Sequence, residues 1–338
     1  MKKNYLKEIK VIRGAHFSEV SRGKEWPDPF DEELLEVLKE ENRFEQEYVY
    51  LQRGESYALL TMYRMKLNLF TFGKLNWRIW IKVIGYPCSL SNGGYVTNDM
   101  DLVLRYAESI KGAKLILNAT EPMCAKQWSV GETLPTCVFT NRFQSVGEYM
   151  TTLRSSYRRR IRKALKACKE FTVREGAEEI DIYPLYLNTY EKSGYKLEKL
   201  EAGFFSRVDG IRLVFLKGDE PRGFVLLKHI GDTLVFMLCG MDYRYDTADL
   251  YYFMLYTILG YGITCGVKRI DLGQTSEETK LKLGAVPEKR YFYAHHSNPV
   301  INRLVQLGKD LLAYHYCFPE YRVFMEEKHE SIVGETGI

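Results

Sequence analysis

The stretch Tyr243–Gly273, YRYDTADLYYFMLYTILGYGITCGVKRIDLG, decides how this chain is read. From Ala248 to Cys265 it is apolar almost throughout, with a single acid at Asp249, and so reads as a long buried helix. Lys268–Leu272 then reads as a short buried strand. Upstream, Ile211–Leu216, Gly223–His229 and Thr233–Gly240 read as three strands, separated by turn signals at Lys217–Pro221 and Gly231–Asp232. Three hairpin-linked strands, a helix and a further strand make a mixed α/β layout.

The same order occurs earlier in the chain. Residues 31–40 (DEELLEVLKE) predict a short amphipathic helix with an acidic start. Tyr48–Gln52 and Ser56–Met65 predict strands about a Gly54–Glu55 turn, and Trp77–Ile84 predicts another. Ser89–Gly94 (SLSNGG) reads as a loop whose glycines permit positive φ. Asp99–Ile110 predicts a helix capped by Asp99, with Leu102, Tyr106 and Ile110 four apart, and Lys114–Leu117 begins the next strand. The elements thus repeat although the residues hardly do. The fold class expected is α/β, with mixed sheets and flanking helices in two similar halves. The boundaries expected are an N-terminal domain over 1–140, a C-terminal domain over 141–330 and a tail at 331–338.

Length and composition agree. At 338 residues the chain exceeds one compact core, and its 46% apolar and 27% charged content is that of a globular protein. No run approaches the roughly 18 apolar residues of a membrane span, and Met1–Lys10 lacks a signal-like apolar core, so a cytoplasmic location is expected. Seven cysteines without a pairing pattern suit reduced thiols. No CxxC or HExxH motif occurs, and in a strand the adjacent His295 and His296 point to opposite faces, so no metal site is expected.

The net charge of +4 is small, but Arg154, Arg158, Arg159, Arg160, Arg162, Lys163, Lys166 and Lys169 follow one another with no acid between them. Ser145 and Glu148 predict an N-cap just upstream, and on a helix Arg158, Arg162 and Lys166 form one stripe. Such a stripe can clamp phosphates, each guanidinium presenting a planar fork. The blander reading is a solvated face that keeps the protein soluble.

Four stretches carry a family resemblance. LRSSYRRRIRKALK (Leu153–Lys166) resembles the arginine-bearing helix before the second domain of Fem-type proteins in the N-acetyltransferase (GNAT) superfamily. Tyr243–Gly273 is similar to that family's loop, long helix and Asp-hydrophobic-Gly strand, and TKLKLGAVPEKRYFYAH (Thr279–His295) to its Lys-x-Lys-x-Gly-Ala segment and closing aromatic strand. The amphipathic helix Pro299–Tyr316 stands where such proteins end.

The resemblance implies tandem GNAT-like domains, the first of them degenerate, and transfer of an activated acyl group to an amine. The donor co-substrate it implies is acyl-CoA or another acyl carrier, or alternatively an aminoacyl-tRNA, with no tightly bound cofactor. The acceptor implied is a small amine or, in the aminoacyl case, a peptidoglycan or other cell-envelope precursor. A phosphate-cradling glycine loop is missing, because Met241–Leu250 has no glycine after Gly240 and carries Asp246 and Asp249. The missing loop favours a tRNA donor. The long helical arm of cell-wall Fem enzymes has no room between Leu165 and Ile211, which ranks the generic N-acyltransferase first. A non-catalytic glycan- or RNA-binding module is the rival outside enzymes.

The candidate catalytic residues are Asp271, whose place at the edge of an apolar strand suits a base accepting a proton from an ammonium, and Tyr243, which could protonate a leaving group. The donor-binding candidates are Arg158, Arg162, Gly240, Arg244, Gly273, Lys280 and Lys282. Oxyanion-stabilising N–H groups are expected near the end of Thr233–Gly240. Asp271 could instead cap the following loop. Cys239, in apolar VFMLCG, reads as an inert core thiol, and the aromatic stretch Asn68–Trp80 reads as sheet core.

Overall fold

A computed structural model describes residues 8–21, 26, 31–69, 76–88, 90–194, 196–245 and 247–325. In chain order the first half runs β1 (Lys10–Gly14), α1 (Phe17–Ser21), α2 (Glu32–Glu41), β2 (Glu47–Arg53), β3 (Ser56–Asn68), β4 (Arg78–Ile84), β5 (Tyr95–Thr97), α3 (Met100–Ser109), β6 (Ala113–Ala119) and β7 (Ser129–Thr140). Two helices link the halves, α4 (Val146–Thr152) and α5 (Ser155–Ala167). The second half runs β8 (Phe171–Glu175), α6 (Tyr183–Lys192), α7 (Ala202–Arg207), β9 (Ile211–Lys217), β10 (Glu220–Ile230), β11 (Thr233–Met241), α8 (Ala248–Thr264), β12 (Arg269–Asp271), α9 (Glu277–Leu281) and β13 (Val286–His296), followed by α10 (Pro299–Leu307) and α11 (Lys309–Leu312).

The strands form a single mixed sheet in the order β1-β2-β3-β4-β6-β13-β7-β12-β11-β10-β9-β8, with β5 paired to β3. Read from its two ends, this order is the same motif twice. Each half has an edge strand, two helices, three antiparallel strands, a crossover helix and a parallel strand: β4 with β6 in one, β11 with β12 in the other. Each half then gives its last strand to the other, since β7 pairs with β12 and β13 with β6, while β7 and β13 pair together at the centre. The central strands are covered on both faces, so β9 and β11 are nearly continuous in buried apolar residues. The edge strands β1 and β8 are mostly exposed and carry Lys10 and Arg13, and Arg174 and Glu175.

Local chemistry sets the helices. Asp31 and Asp99 accept from the N–H groups of Leu34 and Leu102 and cap α2 and α3, and Ser145 accepts from Glu148 to start α4. Glu148 bonds the N–H of Gln144 rather than that of Ser145, so this is a cap without the reciprocal half of a capping box. The trailing helix is broken at Gly308 into α10 and α11. In the 89–94 loop neither Gly93 nor Gly94 adopts positive φ. Gly94 is required for close approach instead, because a methyl there would overlap the backbone of Gly85.

Candidate active site at the seam of the halves

The parallel pairing of β11 with β12 lasts three residues, from Thr233–Arg269 to Val235–Asp271. Beyond Val235 the two strands part, and among the described residues β11 from Phe236 to Cys239 has no strand beside it on that side. A cavity of about 960 Å³ opens there and runs across the seam to β4, β6 and β13 of the other side. Its volume suits a substantial organic ligand.

Most of the wall is apolar, and its polar groups are few. Glu198 supplies the one carboxylate in the wall among the described residues. It is buried, and its negative charge adds to the effect of burial in raising the phenols of Tyr63 and Tyr186 above the ordinary tyrosine range. Tyr186 also donates structure to the segment: its hydroxyl accepts the N–H of Leu200 at 2.9 Å, which fixes the loop on which Glu198 lies.

Two buried lysines share the wall. Lys280 donates to the carbonyls of Gly273 (3.1 Å) and Gln274 (2.7 Å), and burial pushes its amine below the usual lysine range. Lys114 donates to the carbonyl of Ile110 at 2.5 Å, and burial lowers it to about 8.

The Gly273–Ser276 turn between them is a strained segment. Gly273, Thr275 and Ser276 have φ of 71°, 62° and 51°, an uncommon setting for a β-branched threonine. Lys280 holds it from beneath, while Gln274 Nε2 reaches across the seam to Asn118 Oδ1 at 3.0 Å and the Leu134 carbonyl.

The shift at Lys114 has a testable sign. Between about 8 and the ordinary 10.5 the unfolded chain binds a proton that the folded chain does not, so stability should rise with pH across that window. Lys114→Met should abolish that part of the rise. Urea midpoints of both proteins at pH 7 and pH 10 check it; parallel changes in the two would refute it.

The sequence candidates divide. Lys280 and Gly273 lie on the cavity wall, but the amine of Lys280 is spent on two carbonyls within the fold rather than offered to a phosphate. Asp271 lies behind the wall. It accepts from Ser91 Oγ (2.6 Å), Thr136 Oγ1 (2.5 Å) and the Gly273 N–H (2.8 Å), a loop-capping and seam-bridging geometry rather than that of an exposed base. Tyr243 is one residue removed from the wall: its hydroxyl accepts from Thr189 at 3.4 Å, and Lys192 sits 4.0 Å from its ring centre.

Gly240 serves packing, since a methyl there would overlap the backbone of Leu185 and Tyr186 and push α6 off the sheet. Arg244 chelates Asp242, which Arg222 also pairs, and these hydrogen bonds hold that carboxyl far below its usual range. Lys282 pairs with Glu278 at 2.6 Å beside the ring of Tyr321, away from the cavity. Arg158 and Arg162 are on α5, which packs on α8 and contributes nothing to the cavity wall. Within that basic run, Arg160 is neutralised by Asp249 at 2.6 Å, an acid 89 residues further along the chain and so invisible to a local reading of charge. Asp246 lies outside the described residues.

Two bland readings also change. Trp77 and Trp80 are exposed at the cavity rim instead of in the sheet core. Cys239 lines the cavity, and burial raises its thiol to about 11, so it stays protonated and unreactive. Glu198 was missed because the sequence around it, EKSGYKLEKLEAG, looks like an ordinary charged loop. Only the apolar spacing of Leu197 and Leu200 hinted that the loop turns inward.

Residues 152–281 match the model of the Acetyltransferase (GNAT) domain. This segment is similar to a GNAT acetyltransferase domain. It holds β11, α8, β12 and the strained turn, that is, the cavity wall where the strands part. No curated protein matches the chain.

Among solved structures, the chain is similar to L-PGS from Bacillus licheniformis at 12% identity, covering 86% of this chain and 100% of that one with a TM-score of 0.48. It is also similar to FemX (13% identity, 82% and 93% covered, TM-score 0.46) and to a tandem GNAT protein from the clavulanic acid biosynthesis pathway (8%, 86% and 99%, 0.46). Among the described residues no helix is long and apolar enough to cross a membrane, and no cluster of His, Cys, Asp or Glu could hold a metal.

Proposed function

We propose that this protein is an N-acyltransferase that joins an activated acyl group to an amine inside the seam cavity. The observation that carries the proposal is Glu198, a buried carboxylate in the wall of a largely apolar cavity, in a chain part of which is similar to a GNAT domain. An amine acceptor arrives as an ammonium and must lose a proton before its nitrogen can attack. Glu198 takes that proton. The nitrogen bonds to the acyl carbon, and the open edge of β11 past Val235 offers N–H groups to the developing oxyanion. The carbon–sulfur or carbon–oxygen bond to the carrier then breaks, and the leaving thiolate or alkoxide is protonated on departure. Most of the rate enhancement comes from alignment of the two reactants in a dry site.

A second reading concerns the donor. At the start of α8, where a pyrophosphate would meet a helix N-terminus, Asp249 stands paired with Arg160. That acid favours an aminoacyl-tRNA donor over coenzyme A, with the half-buried Arg158 and the exposed Arg162 and Lys166 of α5 meeting RNA phosphates. Purified protein should be given acyl-CoA and aminoacyl-tRNA separately with a panel of amines, and new amides sought by mass spectrometry. Consumption of tRNA-borne acyl groups, with binding that weakens steeply as salt is added, selects the second donor. If neither donor is consumed, the proposal fails.

A further inference from the structure

The helix pair α10–α11 is turned inside out. Val300, Leu304, Leu307 and Leu311, spaced four, three and four apart, form one stripe, and each is between 63% and 70% exposed. The inward face is anchored by a polar residue instead. Asn302 is buried, accepts from the N–H of His296 at 2.9 Å and donates to the carbonyl of Gln127 at 2.8 Å. A helix of a globular domain points its apolar stripe the other way.

The stripe is continuous with the cavity, because Leu304 and Leu311 are also part of its wall, as are the exposed Trp77 and Trp80. An unbroken apolar path therefore leads from Leu238 and Phe292 inside to solvent outside. Positive charge borders its mouth. The guanidinium of Arg64, 3.9 Å from Glu45, lies 4.6 Å from the Trp80 ring centre and Lys66 Nζ 5.4 Å, and Arg303 and Lys309, the latter beside Asp310, are exposed on the helices themselves. Apolar side chains, tryptophan and flanking Lys and Arg are the composition that seats at the boundary of an anionic lipid layer.

From this we infer that the acyl acceptor is an amphiphile drawn from such a layer. Its amine lies inside beside Glu198, its hydrocarbon chain runs outward along the apolar wall, and the α10–α11 stripe rests on the lipid. The identity of the amine as acceptor rests on the acyl-transfer reading; the chain and the surface do not.

The experiment has two arms. Direct titration of butylamine, octylamine and dodecylamine into the full-length protein, without donor, should show affinity rising about three- to fourfold per methylene until the path is filled. Co-sedimentation with vesicles of phosphatidylglycerol and phosphatidylcholine should show binding that fades as phosphatidylglycerol is withdrawn. Val300→Glu with Leu307→Glu, both outside the cavity wall, should weaken it about tenfold or more while the unfolding midpoint holds. Equal affinity for all three amines overturns the inference, as does indifference to vesicles. So does a wild-type dimer that ignores vesicles and dissociates in the double variant, since the stripe is then a contact between copies. Acylation of butylamine with flat chain-length dependence would sink this inference and leave acyl transfer standing. Graded binding without any transfer would do the reverse.

Discussion

Glu198→Gln is expected to lower turnover about 10²- to 10⁴-fold, the usual contribution of a positioned general base. The amide keeps the shape and hydrogen-bonding capacity of the side chain but cannot take a proton from an ammonium at neutral pH. Binding of donor should survive, because Glu198 faces the acceptor. The fold should survive as well: the carboxylate lies on a loop fixed by other contacts, including the Tyr186 hydroxyl on the Leu200 N–H.

A merely structural role makes a different prediction, and pH separates the two. In the wild type the base takes the proton within the site, so the rate should not track the free amine in solution. In Glu198→Gln the residual rate should follow only the fraction of free amine and climb steadily with alkalinity. Glu198→Asp, which keeps the charge but draws it back by one methylene, should recover part of the rate. If Glu198→Gln turned over at the wild-type rate with the wild-type pH profile, the base would have to be sought elsewhere on the wall. His296 would then be the first candidate.

How far the sequence could be read depended on whether the relevant pattern was local. The crossover helices were legible, since Asp99 and its fourfold-spaced Leu102 and Tyr106, and the unbroken apolar run of α8, carry their own signals. So was the element-level repeat. The exchange of β7 and β13 between halves was not, because strand partners 150 residues apart leave no mark on either strand. The edge strands β1 and β8 escaped for a different reason. Mostly exposed and five residues long, they have too few buried positions to show a period of two.

The site was legible only in part. Lys280 and Gly273, expected at the donor site because a loop after a buried strand is where α/β proteins keep ligands, lie on the cavity wall. The chemistry of the cavity depends on which polar side chains turn inward, and Glu198 and Lys114 do so from segments that look solvated. The reverse error occurred at Trp77 and Trp80, where aromatic content suggested a core and the chain places a rim.

Asp271 should prove to be a girder rather than a catalyst. Its two oxygens gather Ser91 from the first half, Thr136 from β7 and the N–H of Gly273 from the strained turn, so one carboxylate ties three segments across the seam. Asp271→Ala leaves two hydroxyls and an N–H without the acceptor they now share at a buried position. A buried hydrogen bond broken from one side costs about 1–3 kcal/mol for each group left unsatisfied, and here three donors lose the same acceptor. A loss of about 3–5 kcal/mol is therefore expected in urea unfolding, seen as a lower midpoint at unchanged slope.

Ser91→Ala alone should cost less, because Thr136 and Gly273 still satisfy the carboxylate. Added to Asp271→Ala it should cost almost nothing more, a non-additivity that marks the two side chains as one interaction. Assayed at low temperature, where the variant remains folded, Asp271→Ala should retain most of its turnover per folded molecule. The opposite pattern, an unfolding midpoint that does not move and a rate that collapses, would restore Asp271 as the proton acceptor. The seam would then have to open further than its hydrogen bonds now permit, since the carboxylate is buried and three of its roughly four acceptor sites are already engaged.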